Sequence, residues 1–199
     1  MKKEHLNRVT MKVKFKKLHE GARLPEKATG GSAAYDLYVP EDVIIKPGRQ
    51  TIPLGFAMEM EPGYEALVDP RSGFSSKGME GYEVETLWSY ETPVGVVTGF
   101  CGIKVPEDVL ENEHTNIKRF IAMKPERFDC DVIEGKIDSD YRKGVRVIIH
   151  NRDTRTFLIK AGTRIAQMTF HKVETVQWEE ADELSETDRE GGFGSTGTK

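Results

Sequence analysis

From Met11 to Leu18 the chain reads MKVKFKKL, apolar and basic residues alternating with a period of two. That spacing predicts a strand with one face on a core. Residues 30–74 carry short β-branched and aromatic runs cut every few positions by Pro-Glu, Pro-Gly, Pro-Leu and Asp-Pro. Residues 136–176 resume the pattern, with GVRVIIHN and RTFLIKAG predicted as a hairpin around Asn151–Thr154, and RIAQMTFHKV as a further strand. Short strands punctuated this often point to an all-β barrel or jelly roll, not to repeated βαβ units. Between these halves the text changes. VPEDVLENEHTNIKRFIAM is read as a short helix, with Pro106, Glu107 and Asp108 at its start and Lys118 and Arg119 near its end. Beyond Trp178 the acidic run EEADELSETDRE is expected to leave the core.

Composition narrows the class. With 199 residues, 37% of them hydrophobic and 31% charged, the chain has the length for one sizeable core. A net charge of −4 argues against a nucleic-acid polymer as main partner, since phosphate-backbone binding needs a Lys/Arg excess, but leaves room for a nucleotide. No apolar run reaches the roughly 20 residues of a membrane span, and MKKEHLNRVTMKVKF lacks the apolar stretch of a secretory signal, so a cytoplasmic location is expected. Cys101 and Cys130 lack metal-ligand spacing and read as reduced thiols.

Four stretches join turn glycines to charged or hydroxyl groups. DPRSGFSSK offers Arg71, Ser72 and the open backbone of Gly73, a donor set suited to polyphosphate oxygens, although Arg-Ser-Gly alone is more often ordinary turn chemistry. In GKIDSDYRKG, Asp138 and Asp140 share a side if the segment is extended, with Tyr141 beside them. A carboxylate there could deprotonate a water attacking phosphorus; the plain alternative is an Asp-rich turn with a packed tyrosine. GTRIAQMTF sets Arg164 and Gln167 out of phase with Ile165 and Met168. The tail REGGFGSTG plants Phe193 among glycines and hydroxyls, either a frayed end or an arm that stacks on a base, a contact of roughly 1–3 kcal/mol. Asp36, in SAAYDLYVPED, adds a carboxylate that could reach a metal through water.

Taken in order, AAYDLYVPED, PRSGFSSKG, GKIDSDYRKG, GTRIAQMTF and REGGFGSTG resemble the five motifs of the trimeric all-β dUTPases. The resemblance implies a jelly-roll-like barrel, a homotrimer with sites shared between chains, and Mg²⁺-dependent hydrolysis of dUTP to dUMP and pyrophosphate. It makes Asp138 the residue that activates water and Tyr141 the floor under the deoxyribose. The backbone around Lys136 and Ile137 would read uracil. Arg71, Ser72, Gly73 and Arg164 would hold phosphates, and Gln167 and Asp36 would act through waters, Asp36 on the metal's shell. Phe193 would cap the base, and Arg189, Gly194, Ser195 and Thr196 would close over the phosphates from a flexible arm, residues 180–199.

This sequence departs from the family's pattern in four places. Lys143 stands where the third motif normally has glycine, and Arg189 lies one position nearer the aromatic than usual. CDVIEG lacks the asparagine often offered to uracil, leaving backbone groups or Asp131 as substitutes. An insertion, residues 78–134, separates the second and third motifs, and its aromatic content fits an ordered excursion. The whole chain reads as one domain carrying that insertion. Two other functions compete: a regulatory module of the same fold that binds a protein through the insertion, and a dCTP deaminase-like enzyme.

Overall fold

The computed structural model describes residues 11–92, 95–99, 116–121 and 124–188; for 85–92, 95–99 and 116–121 it describes the backbone alone. In chain order the strands are β1 (Lys14–Lys17), β2 (Tyr35–Tyr38), β3 (Val43–Ile45), β4 (Gly48–Pro53), β5 (Phe56–Glu59) and β6 (Tyr64–Asp69). A short helix α1 (Ser72–Lys77) follows, then β7 (Met79–Thr92), β8 (Gly95–Gly99), β9 (Asn116–Ile121), β10 (Glu126–Phe128), β11 (Cys130–Ile133) and β12 (Gly135–Asp138). β13 (Arg146–Asn151), β14 (Phe157–Ile159) and β15 (Arg164–Lys172) complete the set. The all-β fold expected from the punctuated strand pattern is present.

Every pairing between these strands is antiparallel. One sheet runs β12-β6-β15-β2, a second β11-β13-β4, and a third β10-β7-β14-β3, with β8 and β9 added along β7. β1 and β5 form a separate ribbon. The period-two rule is plain in β13, where Val147, Ile149 and Asn151 are buried and Arg146 and Ile148 are exposed. Leu37, Ile45, Leu54, Phe56, Ile149, Ile165 and Met168, all sealed from solvent, knit the sheets into one core.

Phe128 and Phe157 stack in that core at 4.2 Å between centroids, and the Arg155 guanidinium lies 4.5 Å from the Phe128 ring centre. Gly78 has φ +73°, and a Cβ there would fall 2.4 Å from the Phe128 carbonyl oxygen, so the approach of β7 to the Phe128 backbone requires glycine. Phe157→Ala is expected to cost about 3–5 kcal/mol, because the ring leaves a void that its neighbours cannot fill. Urea unfolding followed by circular dichroism checks this.

Three local expectations are corrected. β13 and β14 do not form a hairpin: β13 pairs with β11 and β4, β14 with β3 and β7. The cause is Asn151, 1% exposed, whose Nδ2 donates to the Arg155 carbonyl at 2.9 Å and whose Oδ1 accepts from the Asp153 N–H at 3.0 Å. That side chain turns the chain out of one sheet and into another. The helix read near residue 117 is, over Asn116–Ile121, strand β9 paired with β7, so tertiary pairing overrides the loose apolar spacing there. Residues 105–115, 122 and 123 of that stretch lie outside the described residues. The helix that does form, α1, occupies the phosphate-type turn RSGFSSK and buries only Phe74. The acidic stretch behaves as expected: residues 179–188 are exposed and Trp178 is 91% exposed. Among the described residues no helix is long and apolar enough to cross a membrane.

Candidate active site

Three of the five motifs supply strands of a single sheet, and a fourth follows directly from another of its strands. The first supplies β2, the third β12, the fourth β15, and the second continues directly from β6 through Pro70. The linear order of the motifs gives no hint that their strands are neighbours. Gln167 of β15 sits opposite Asp36 on one side and Asp69 on the other. That register brings the start of β15, the middle of β2 and the end of β6 together.

A charged triad occupies that junction. Asp36 is 7% exposed, its Oδ1 accepting from Arg71 Nε at 2.8 Å and its Oδ2 from Arg164 Nη1 at 3.0 Å. A carboxylate buried this far needs such charge-assisted donors, since an unpaired one would cost several kcal/mol. Two guanidiniums and one carboxylate leave a formal surplus of one positive charge. Each guanidinium has further N–H donors, and the Arg71 and Arg164 side chains are 28% and 48% exposed, so those donors can meet an incoming anion. Ser72 and Gly73 form the exposed first turn of α1, where the Arg71 side chain makes no capping bond. Gln167 is half-buried between the two aspartates it faces.

The third motif makes a separate corner. Asp138 ends β12, exposed, directly opposite Glu65. The chain turns there, the Tyr141 N–H donating to the Asp138 carbonyl at 3.1 Å, so of the two readings the Asp-rich turn is the one that forms, and Asp138 and Asp140 do not share one extended segment. Tyr141 Oη donates to the Gly144 carbonyl at 3.1 Å, and Arg142 Nη1 to the Ser139 carbonyl at 2.6 Å. Both bonds fold side chains back onto the tip. Lys143 at the usual glycine position costs no backbone strain, because no non-glycine among the described residues has positive φ. Gly135, Lys136, Ile137, Tyr141, Val145 and Ile148 border a cavity of about 230 Å³. Ile137 is 7% exposed, so this residue has chiefly its backbone to offer a ligand. Lys136 Nζ grips both carboxylate oxygens of Glu65, at 2.9 and 2.7 Å. Asp131, a candidate substitute for asparagine, is held by Arg152 Nη1 at 2.7 Å.

The two corners do not meet within one chain. Asp138 is level with Glu65, whereas Arg71 follows Asp69 at the far end of β6. Four residue steps along β6 lead from Glu65 to Asp69, roughly 13 Å at an antiparallel rise. Arg189, Phe193, Gly194, Ser195 and Thr196 lie outside the described residues, as does Cys101. A larger cavity of about 750 Å³, lined by Met11, Val13, Phe15 and Phe170 among others, contains none of the candidate site residues.

The groups fit a metal carried by its ligand better than one caged by protein. Among the described residues no cluster of three His, Cys, Asp or Glu could hold an ion. Each Asp36 oxygen already accepts from a guanidinium, whose positive charge disfavours direct ligation of a cation but leaves a lone pair for a metal-bound water. Cys130 is no nucleophile: burial pushes its thiol up to about 12. Sequence reasoning missed the triad and the Glu65–Lys136 pair because their members lie far apart in the chain, Asp36 being 128 positions from Arg164 and Glu65 being 71 from Lys136.

Comparison with known proteins places this geometry. The family model for dUTPase matches residues 20–97 and 129–197, leaving 98–128 unmatched. The deoxyuridine 5′-triphosphate nucleotidohydrolase of Nautilia profundicola is 35% identical over 189 residues, covering 94% of this chain and 99% of the relative. A mutant Staphylococcus bacteriophage 80alpha dUTPase, solved with dUpNHpp, superposes with a TM-score of 0.64 at 21% identity, covering 94% and 98% of the two chains. A mutant dUTPase from phage phi11 of S. aureus, whose structure details a structural Mg(II) ion, gives 0.58 at 19% identity, covering 87% and 98%. With the family model spanning both ends of the chain and a relative this similar over nearly all of it, the chain belongs to the dUTPase family.

Proposed function

We propose that the hydrolysis of dUTP to dUMP and pyrophosphate, the activity of the family to which this chain belongs, takes place here in sites shared between copies of the chain, with Asp138 activating the water. The observation that carries the mechanism is the split of the motifs into two corners of one sheet. A cationic corner of Arg71, Arg164, Ser72 and Gly73 suits the triphosphate. A second corner of Asp138, Tyr141 and the β12 backbone suits the nucleoside and the attack. Their separation supports a homotrimer in which one copy's third motif faces another copy's triad.

In this reading Asp138 accepts a proton from the water as its oxygen attacks the α-phosphorus, and pyrophosphate departs opposite it. Arg71 and Arg164, oriented by Asp36, stabilise charge on the phosphate oxygens, and the first-turn N–H groups of α1 add donors. Gln167 acts through water beside Asp36. Backbone groups at Lys136 and Ile137 read the uracil edge, and the Tyr141 ring, tied to the tip, crowds the 2′ position. Mg²⁺, when bound, would neutralise phosphate charge, and Asp36 would reach it through water. The arm, residues 180–199, would bring Phe193 onto the base and Arg189, Gly194, Ser195 and Thr196 onto the phosphates.

Pyrophosphate release from dUTP, UTP, dTTP and dCTP, with Mg²⁺ and with EDTA, tests this. The expected result is strong preference for dUTP, lost on chelation. Ammonia from dCTP without pyrophosphate from dUTP would instead favour the deaminase-like alternative.

A further inference from the structure

Glu65 is an acid that the family motifs do not account for, and it sits where an acid is awkward. Antiparallel pairing sets Asp138 of β12 and Glu65 of β6 directly opposite each other, on the same face of the sheet. Opposed Cβ atoms lie about 5 Å apart, close enough for like charges to destabilise one another. The Glu65 side chain is 17% exposed and its two oxygens are both taken by Lys136 Nζ. Lys136 lies two residues before Asp138 on the same strand, hence on the same face.

We propose that the Lys136–Glu65 pair is a positioning device for the reaction. It cancels the second negative charge beside Asp138, so that no like charge opposes the Asp138 carboxylate and its corner does not repel the nucleotide's phosphates. The inference rests on Asp138 being the water-activating carboxylate and assigns Lys136 a side-chain role that does not depend on its backbone contact to the base.

The other charged groups around this position leave Lys136 as the cation bound to Glu65. From the following turn come Asp140 and Arg142, whose Nη1 donates to the Ser139 and Tyr141 carbonyls and whose Nε lies 3.9 Å from Glu59. From β15, His171 is level with Glu65, but its Nε2 is 2.8 Å from Thr169 Oγ1. Glu134 precedes β12 and adds a further negative charge. Electrostatics agree with the geometry: Glu65 foremost, with Glu134 and Asp138 adding to it, holds the Lys136 ammonium above its ordinary value.

The test is the pH profile of kcat/KM for dUTP in four proteins: wild type, Lys136→Met, the double variant Lys136→Met/Glu65→Gln, and Asp138→Asn. Lys136→Met is expected to move the acid limb upward by about half a pH unit, the effect of one charge about 5 Å away in a water-like medium. That is roughly a threefold loss of activity below the midpoint, fading at high salt. The double variant should return the limb to its wild-type position, which a merely structural role for Lys136 would not do. An unmoved limb in Lys136→Met, or a limb still displaced in the double variant, overturns the proposal. Full activity in Asp138→Asn overturns instead the mechanism on which it rests.

Discussion

Asp138→Asn is expected to lower kcat for dUTP by about 10²–10⁴-fold while leaving KM within a few-fold of wild type. The amide keeps the size of the carboxylate and can still orient a water, but it cannot accept the proton that the water must lose. Asp138 is exposed at the end of β12, and its carbonyl, not its side chain, anchors the turn to Tyr141. The fold should therefore be indifferent to the change, and thermal unfolding should match wild type. Steady-state pyrophosphate release measures both constants. A variant turning over at the wild-type rate would remove Asp138 from the chemistry and send the search for a base to Asp140.

Asp36→Ala should be damaging in a different way. Both arginines of the cationic corner are aimed by bonds to this one carboxylate, at 2.8 and 3.0 Å. Without it two guanidiniums face each other with no anion between them, and both swing toward solvent. Misplacement of phosphate-holding groups by about 1 Å can cost on the order of 10²-fold. We expect kcat/KM to fall by about that factor, with KM rising because the ground-state triphosphate is held by the same donors. Removing one partner of a buried pair can cost about 3–5 kcal/mol, but the arginine side chains are 28% and 48% exposed and regain water, so a loss nearer 1–2 kcal/mol is expected. Kinetics and a denaturation curve separate the two effects. Unchanged kcat/KM would mean that the triad is purely structural.

How far the sequence could be read depended on how local each interaction was. Alternation in MKVKF and VRVIIHN gave real strands, because a strand half-buried on one face has to alternate. The candidate chemistry was also visible, since motif residues cluster within a few positions of each other. The hairpin at Asn151 failed because the deciding contact is a buried side-chain amide bonded to Arg155, and the same local pattern suits a tight turn or a crossover. Helix α1 was read as a turn because its six residues carry little helical periodicity. Nothing in DSD fixes where the strand stops, so the sequence leaves an extended Asp138–Asp140 pair and an Asp-rich turn both open, and the Tyr141–Asp138 backbone bond decides for the turn.

By itself, then, the sequence determined the all-β class, the family, and the residue types available for phosphate, base and water. Those depend on period, punctuation and short motifs. Which residues touch was decided by tertiary structure. Antiparallel register alone sets Glu65 against Asp138 and Gln167 between two aspartates, and packing alone buries Asp36 between arginines 35 and 128 positions away. Pairing over such separations is fixed by the burial of a common core, and that is a property of the whole chain.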